Sequence, residues 1–457
     1  MLKLFKNLKW YHYIFILITI VFIYIQVQFD LLLPEYMGNI LEIIGKSIPL
    51  GTNPTKEILD EGILMLLVTL GSITSTIIAS YFAARIGTRV ANITRKKLFT
   101  HIQGFSLEEV NQFSTPSLIT RSTNDVTQVQ MAVILILRMF FRAPIMATLA
   151  IMKAVDLNVS LSIVILGGII AIVMMVSVIF IIVGPKFNLI QKRTDDLNEV
   201  TRETLTGLRV IRSHNAQTKQ KEKFEGVNTR LTKTNVFVQT AMSFLNPGMN
   251  LVFSGVNVAL IIVGATLISQ FKLGDNQIEG VALQAEFISY AMMIMMSFMF
   301  LIMMFIFLPR AIVSARRINE VLDTPYSIKQ DEANQNLDLS HAEIEFKNVS
   351  FKYPNAEEYV VKNVSFKITK GHTLAFIGST GSGKSTIIQL MLRFYDVTEG
   401  EILINQKPIK SYPLDDLYKI IGYIPQKALL FSGSIRENML IGNPNATDKE
   451  IMEALEK

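Results

Sequence analysis

Gly378-Ser-Thr-Gly-Ser-Gly-Lys384-Ser-Thr386 follows directly after an apolar, strand-like run, Thr373-Leu-Ala-Phe-Ile377. Glycines let such a loop wrap closely, so that successive backbone N–H groups point at a phosphate. A helix predicted to begin near Lys384 directs the positive end of its dipole at the same place. We expect Lys384 to bind the outer phosphates of a nucleotide and Ser385 to bind Mg²⁺. The predicted phosphate-binding residues are Gly378, Ser379, Thr380, Gly381, Ser382, Gly383, Lys384, Ser385 and Thr386.

A glycine-rich turn that joins a strand to a helix without binding a ligand is the alternative for this loop. That alternative does not account for the order of the strand, the glycines, the lysine and the helix, which is the order that a phosphate-binding loop requires.

The composition indicates a membrane protein. Half of the residues are hydrophobic, 18% are charged, and the mean hydropathy is +0.37. A soluble domain carries nearer a quarter charged residues. The chain has no cysteine, which excludes disulfides, thiolate metal sites and cysteine nucleophiles. The net charge of +6 does not indicate a nucleic-acid partner, because the basic residues cluster beside apolar segments.

Six stretches are long and apolar enough to span a bilayer, which takes roughly 20 residues each. An even number of spans places both termini on the same side of the membrane. The first apolar run is too long for a signal peptide and has no cleavage motif, so we expect it to be retained as a helix. The spans cover about 13–33, 62–84, 137–155, 159–183, 249–270 and 287–308.

The charged flanks of these spans predict their orientation. Lysines precede the first span, and Arg85 to Lys97 and the segment 184–235 are rich in Lys and Arg, whereas the loops 34–61 and 271–286 are mostly acidic or neutral. The positive-inside rule then places the N-terminus and the phosphate-binding loop in the cytoplasm.

Arg138 and Arg142 lie on one helical face at the start of the third span. At the bilayer centre each would cost roughly 2.5–3.5 kcal/mol. We therefore expect this helix to enter lipid only near Ala143, with both arginines below the headgroups. Binding of an anionic substrate is the alternative role.

The fold class that follows is a mainly α membrane domain with six transmembrane helices and long cytoplasmic extensions, followed by a partial α/β P-loop nucleotide-binding domain. The connections 85–136 and 184–248 are too long for simple turns, and their polarity is typical of helices. We assign 1–320 to the membrane domain, 321–341 to a linker and 342–457 to the nucleotide-binding domain.

Alternation of apolar and polar residues predicts the strands of the second domain. The segments Glu343 to Lys352, Val361 to Ile368 and Glu401 to Ile404 alternate in this way, and Ile420 to Ile424 is a candidate for a buried strand.

Three motifs resemble those of ATP-binding-cassette exporters, in that family's order and approximate spacing. Phe351-Lys-Tyr-Pro354 resembles the aromatic A-loop, 378–386 the Walker A loop, and Tyr423-Ile-Pro-Gln-Lys-Ala-Leu-Leu-Phe-Ser-Gly-Ser-Ile-Arg-Glu-Asn438 the Q-loop. The resemblance implies ATP and Mg²⁺ as cofactors. It implies that Tyr353 stacks on adenine, with Tyr359 as its rival, and that Gln426 joins Ser385 at Mg²⁺. A tyrosine at a strand end and a polar residue after a proline are the non-functional alternatives.

The membrane half resembles one subunit of bacterial heterodimeric multidrug exporters. The similar stretches are Phe113-Ser-Thr-Pro-Ser-Leu-Ile-Thr-Arg-Ser-Thr-Asn-Asp-Val-Thr-Gln-Val-Gln130 and Gly207-Leu-Arg-Val-Ile-Arg-Ser213. By that likeness, helices around 104–112 and 212–222 are coupling helices that dock onto nucleotide-binding domains. The implied partner is a second half-transporter, more in keeping with a heterodimer than with a homodimer. Solvated amphipathic loops are the alternative for both segments.

The last part of the chain does not contain the Leu-Ser-Gly-Gly-Gln signature, the apolar run ending in Asp-Glu, or the switch histidine of that family. We interpret the chain as truncated within the nucleotide-binding domain. It holds no catalytic residue, because phosphoryl transfer to water needs a positioned base. We therefore expect the chain alone to show no ATPase activity above a Lys384→Ala control.

Three functions remain. The first is a subunit of an ATP-driven exporter that moves amphipathic drugs or lipid-like compounds out of the cell by alternating access. The methionine- and phenylalanine-rich last span, 291–305, is suited to adaptable apolar contacts, although ordinary lipid packing explains it as well. The second is an exporter of lipids or peptides, favoured if arginines line the membrane pathway. The third is a non-catalytic or truncated ATP-binding partner of another membrane protein.

Overall fold

The computed structural model describes residue 3 and residues 8–50, 53–270, 273, 276–328, 343–354 and 356–456. Within these residues the chain forms two compact units. The first contains residues 1–100 and 119–323, and the second contains residues 101–118 and 324–457. Most of the predicted linker, from residue 329 onward, lies outside the described residues.

Long helices make up the first unit. Six of its helical segments in the described part of the chain are long and apolar enough to cross a membrane, which confirms the predicted number of spans. The helices are α1 (Trp10–Leu50), α2 (Thr55–Gln103), α4 (Thr115–Leu157), α5 (Val159–Thr206), α6 (Leu208–Ser213), α7 (Gln217–Ser243), α8 (Leu245–Ser269) and α9 (Gln277–Asp323), with α3 (Leu107–Phe113) in the second unit.

The spanning helices are longer than a bilayer requires. α2 has 49 residues, which corresponds to a length of about 74 Å, against a hydrocarbon core of roughly 30 Å. The polar parts of α2, α4, α5 and α7 continue as helix beyond the apolar spans, as the sequence predicted. These helices pack through small and branched residues such as Ala150, Leu161 and Ile294, all fully buried.

The helix predicted around 212–222 is interrupted. α6 ends at Ser213 and α7 begins at Gln217, with a non-helical turn between them in which Asn215 adopts a positive φ of 49°. The structure therefore divides the predicted segment 212–222 between two helices, because the left-handed residue Asn215 interrupts the helical backbone.

A four-stranded antiparallel sheet lies in the second unit, in the order β2-β1-β3-β4. Phe346 and Phe366 face each other in register on β1 and β2, with their rings stacked at 4.4 Å. The strands are β1 (Glu343–Phe351), β2 (Val361–Thr369), β3 (Glu399–Ile404) and β4 (Lys407–Pro408), and the helices are α10 (Lys384–Met391), α11 (Leu414–Ile420), α12 (Ile435–Leu440) and α13 (Asp448–Glu456). A short 3₁₀-helix covers Ile409–Ser411.

Two predicted strands are absent from the described sheet. Residues 372–379 and 421–425 have no regular secondary structure, and Ile377 and Ile424 are 96% and 95% exposed. A strand needs a neighbour that accepts and donates backbone hydrogen bonds. Neither segment pairs with any of the four described strands, so their apolar sequences do not form a ladder.

Helix α3, the first predicted coupling helix, belongs to the second unit. Ser106 and Glu109 form a capping box at its N-terminus. Glu109 is buried, and its carboxylate accepts hydrogen bonds from the backbone N–H groups of Ser106 at 2.7 Å and Ser327 at 2.6 Å. Burial acts to raise the pKa of Glu109, but hydrogen bonds from the side chains and backbone of Ser106 and Ser327 together outweigh burial and hold the pKa below its usual value. This contribution to stability is present above the pKa of the unfolded chain and is lost as the pH falls.

Candidate functional site

The loop 378–383 connects the segment after β2 to helix α10, which begins at Lys384. Gly381 and Gly383 both have a φ of +87°, a left-handed conformation that suits glycine. A Cβ added to Gly383 would lie 3.0 Å from the Val360 carbonyl oxygen, so a side chain would also be crowded there. The fold thus explains why glycine occupies these positions of the phosphate-binding motif.

Lys384 folds back over this loop. Its Nζ donates hydrogen bonds to the backbone carbonyl oxygens of Gly378 at 2.9 Å and Ser379 at 2.6 Å, and to Ser382 Oγ at 3.3 Å. The only cation of the motif is therefore held within the loop, at the N-terminus of α10, where backbone N–H groups and the helix dipole attract anions. These residues fit the phosphates of ATP.

Tyr353 contacts helix α10, which begins with the last residues of the phosphate-binding motif. Its hydroxyl is 3.0 Å from Thr386 Oγ1 and donates to Gln389 Oε1 at 3.2 Å. Its ring packs edge-on against Tyr395, with the ring centroids 5.3 Å apart. The rival Tyr359 instead donates a hydrogen bond to Glu399 Oε1 at 2.8 Å.

Gln426 and Ser385, the predicted Mg²⁺ ligands, are both exposed. Ser385 is in the first turn of α10, and Gln426 lies in the irregular segment after α11. Among the described residues no hydrogen bond joins the two side chains. Their joint role at Mg²⁺ therefore stays a prediction, and the metal, when bound with ATP, supplies positive charge at the phosphates.

We predict that Tyr353→Ala weakens ATP binding by about 1–3 kcal/mol, the range for stacking of a base on an aromatic ring. Tyr359→Ala is the matched control, because it removes a tyrosine from the same connection between β1 and β2 but leaves the contacts with Thr386 and Gln389 intact. Titration with a fluorescent ATP analogue measures both variants. Equal losses of affinity would show that the adenine-stacking residue is assigned wrongly.

Tyr395 was not identified from the sequence, yet it connects two predicted elements. It accepts a hydrogen bond from Asn111 Nδ2 of α3 at 2.9 Å while its ring contacts Tyr353. The ring is buried and belongs to the hydrophobic core of the second unit. A single tyrosine after a helix belongs to no sequence motif. The role of Tyr395 therefore becomes visible only from the residues that it contacts in the fold.

The first unit contains a cavity of about 550 Å³ between α1, α2, α4 and α9. Asp30, Arg138 and Arg142 all line it. Arg142 Nη2 is 3.1 Å from Asp30 Oδ2, and Ser72 Oγ donates to Asp30 Oδ1 at 2.5 Å. Ser72 lies near the middle of the predicted second span.

The depth of the two arginines relative to the lipid headgroups stays a prediction, but the structure shows what surrounds their side chains. Arg142 is stabilised within the helix bundle by the Asp30 carboxylate, and Arg138 opens into the same cavity. The penalty for an arginine in lipid does not apply to a side chain that faces an ion-pair partner or a cavity. Asp30, an acidic residue inside the first apolar span, was the sequence feature that could have indicated this partner.

These features define a class of protein, in which a bundle of six membrane-spanning helices is joined to a nucleotide-binding domain of the P-loop type. Comparison with family models extends this assignment. Residues 16–282 match the ABC transporter transmembrane region, and residues 361–457 match the ABC transporter domain.

Individual relatives agree with the family models. The chain is 36% identical to the ABC transporter ATP-binding protein YfiB of Bacillus subtilis, over 86% of this chain and 67% of that protein. It is 33% identical to an ABC transporter ATP-binding protein of Mycobacterium tuberculosis, over 88% and 69% of the two chains. It is 27% identical to a Staphylococcus aureus protein named "Putative multidrug export ATP-binding/permease protein", over 82% and 64%. The chain belongs to the ABC transporter family.

Proposed function

We propose that this chain is one subunit of an ATP-driven exporter that moves amphipathic drugs or lipid-like compounds out of the cell by alternating access. A second half-transporter, different in sequence, completes the assembly. The N-terminus and the nucleotide-binding domain, 342–457, face the cytoplasm of a bacterial cell, and residues 1–320 cross the plasma membrane. ATP and Mg²⁺ are the cofactors, with Ser385 and Gln426 at the metal.

One observation carries this proposal. Lys384, the glycine loop and Tyr353 come together beside α10, in a chain whose other unit holds six helices of membrane-spanning length. The loop and lysine suit the phosphates of ATP, and Tyr353 offers a ring to its base. A membrane bundle with an internal cavity of about 550 Å³ provides space for a small cargo.

Helix α3 supports a coupling role for residues 101–118. Its residues Glu109 and Asn111 hydrogen-bond to Ser327 and Tyr395 within the second unit, while the chain on either side continues into the spanning helices α2 and α4. A change at the nucleotide site thus has a covalent route to two membrane helices.

Cargo of the lipid type is the second candidate. Arg138 and Arg142 line the cavity, and arginine forks match the oxygens of phosphate and carboxylate headgroups. A cavity without cations would suit neutral or cationic drugs instead.

Cysteine labelling in intact cells tests the proposed topology. We predict that a membrane-impermeant thiol reagent labels single cysteines at Lys56 and Asn276, but labels cysteines at Ser114 and Gln217 only after permeabilisation. The basic flanks of the cytoplasmic segments set this orientation. All four native residues are exposed. The chain has no cysteine of its own, so the protein without an introduced cysteine should not be labelled.

The cysteines at Ser114 and Gln217 control for reactivity, since permeabilised cells should label all four variants. Labelling of the Gln217 position in intact cells would place α7 outside, away from cytoplasmic ATP. The exporter proposal would then lose its mechanism.

A further inference from the structure

The cavity of the first unit has a charged end and an apolar wall. Its volume of about 550 Å³ lies within the range of small-molecule sites, roughly 300–1,000 Å³. Asp30, Arg138 and Arg142 contribute the charges, and methionines from α4 and α9 contribute much of the rest of the lining. The charged and the apolar lining residues together determine the chemistry of a ligand that would fit the cavity.

Two of the three charges neutralise each other. Asp30 Oδ2 accepts a hydrogen bond from Arg142 Nη2 at 3.1 Å, and Asp30 Oδ1 accepts one from Ser72 Oγ at 2.5 Å. The Asp30 side chain is 14% exposed, so little of it remains accessible. Both carboxylate oxygens are thus occupied, and a cationic ligand would have to displace Arg142 to reach them.

Arg138 leaves one positive charge in excess. It lies four residues before Arg142 and is exposed to the cavity. Among the described residues it forms no ion pair and no hydrogen bond. It also lies in a π-helical turn of α4, Ile136–Phe140, a rare geometry found mostly at functional sites. An ionisable side chain among membrane helices that has no partner within the described part of the chain is suited to a partner that arrives as a ligand.

The remainder of the wall suits an apolar group. Met292, Met293 and Met296 face the cavity from α9, and Met139 and Met146 face it from α4. Thioether side chains are flexible and polarisable, so they fit apolar groups of differing shape. A ligand that satisfies both ends carries an anionic head and an apolar tail.

We propose that the cavity binds amphipathic anions, with Arg138 holding the head group and the methionine wall holding the tail. This inference rests on the proposed exporter function, because it names the cargo class of that exporter. The guanidinium presents a planar fork of N–H donors that matches carboxylate and phosphate oxygens alike. Fatty-acid carboxylates and lipid phosphates share this chemistry.

Binding of fluorescent amphiphiles to the purified full chain in dodecyl maltoside tests the proposal. The probes are dansyl-labelled undecanoic acid and, as the uncharged match, dansyl-labelled undecanol. We expect Arg138→Gln to raise the Kd of the acid roughly 10- to 100-fold, the effect of losing hydrogen bonds to a charged group. The Kd of the alcohol should change less than about twofold, because the apolar wall is intact.

Two further variants separate charge from structure. Arg138→Lys keeps the charge without the fork and should lose less affinity for the acid than Arg138→Gln. Arg89→Gln removes an exposed arginine of α2 that lies outside the cavity lining and should affect neither probe. Retained binding of the alcohol shows that a variant is folded. Competition by unlabelled dodecanoate and by dodecyl phosphate distinguishes carboxylate from phosphate cargo.

Unchanged binding of the acid to Arg138→Gln, or no binding of the acid to the native chain, would overturn the inference. An equal loss of affinity for the acid in Arg89→Gln would also overturn the inference, because the loss would then follow from the change in net charge and not from Arg138 itself. Titration of the same variants with an ATP analogue reports separately on the nucleotide site. A failed cargo test with intact ATP binding leaves the exporter proposal standing, whereas loss of ATP binding in the native chain contradicts that proposal.

Discussion

Lys384→Ala is expected to raise the Kd for ATP about 100-fold, equivalent to about 3 kcal/mol. The side chain is the only cation of the motif 378–386, and its Nζ donates hydrogen bonds to the carbonyl oxygens of Gly378 and Ser379, which are predicted to bind the phosphates. Its removal leaves phosphate oxygens without a charged donor. Titration of the purified chain with a fluorescent ATP analogue measures the effect, and it does not require hydrolysis.

Lys370→Ala is the matched control for this experiment. Lys370 follows β2, is exposed, and lies outside the phosphate-binding motif, so its removal changes the net charge by the same amount. We expect it to alter the Kd less than about threefold, in keeping with a distant, solvent-screened charge. Equal affinities of Lys384→Ala and the native chain would contradict the assignment of the phosphate site.

Gly400→Ala is expected to destabilise the sheet of the second unit by about 2–5 kcal/mol, the sum of a left-handed backbone penalty and an overpacking penalty. Gly400 has a φ of +79° on β3, and a Cβ there would lie 2.3 Å from the Asn348 carbonyl oxygen and 2.5 Å from that of Lys347. Those atoms belong to the backbone of β1, where the register shifts between Lys347 and Ser350. The clash cannot be relieved by a side-chain rotation.

Gly371→Ala separates the two contributions. Its φ of +85° is similar, but a Cβ there meets nothing within 4 Å, so only the backbone penalty of about 1–2 kcal/mol remains. Hydrogen exchange of the β1 amides, measured by mass spectrometry, reports the local opening free energy. We expect exchange of β1 to accelerate at least about tenfold more in Gly400→Ala than in Gly371→Ala. Equal acceleration would show that β3 does not approach β1 as closely as described.

Several parts of the fold were predictable because they depend on local sequence. The six spans follow from the length and hydropathy of apolar runs, since a helix satisfies its backbone hydrogen bonds within its own segment when it lies in lipid. Strands β1, β2 and β3 follow from alternation of apolar and polar residues, which matches the two faces of a sheet. The two apolar runs at 373–377 and 420–424 were predicted as strands by the same logic and were wrong, because pairing requires a neighbour that no local pattern supplies.

The nucleotide site also has a part that local sequence predicts and a part that depends on the tertiary structure. By itself the sequence predicted the phosphate-binding loop, because its glycines and Lys384 lie within nine consecutive residues. The family resemblance favoured Tyr353 for stacking on adenine over its rival Tyr359, and both stand in the connection after β1. The tertiary structure sets the Tyr353 hydroxyl 3.0 Å from Thr386, which favours Tyr353, and the stacking of its ring on adenine stays a prediction.

The membrane cavity was decided by the tertiary structure alone. The sequence showed the cost of placing Arg138 and Arg142 in lipid, but not that Asp30, 112 positions from Arg142, would neutralise one of them. The hydropathy of a segment depends only on consecutive residues, so a short window of sequence is enough to predict a membrane span. An ion pair depends on the distance between two side chains on different helices, and only the packing of α1 against α4 fixes that distance.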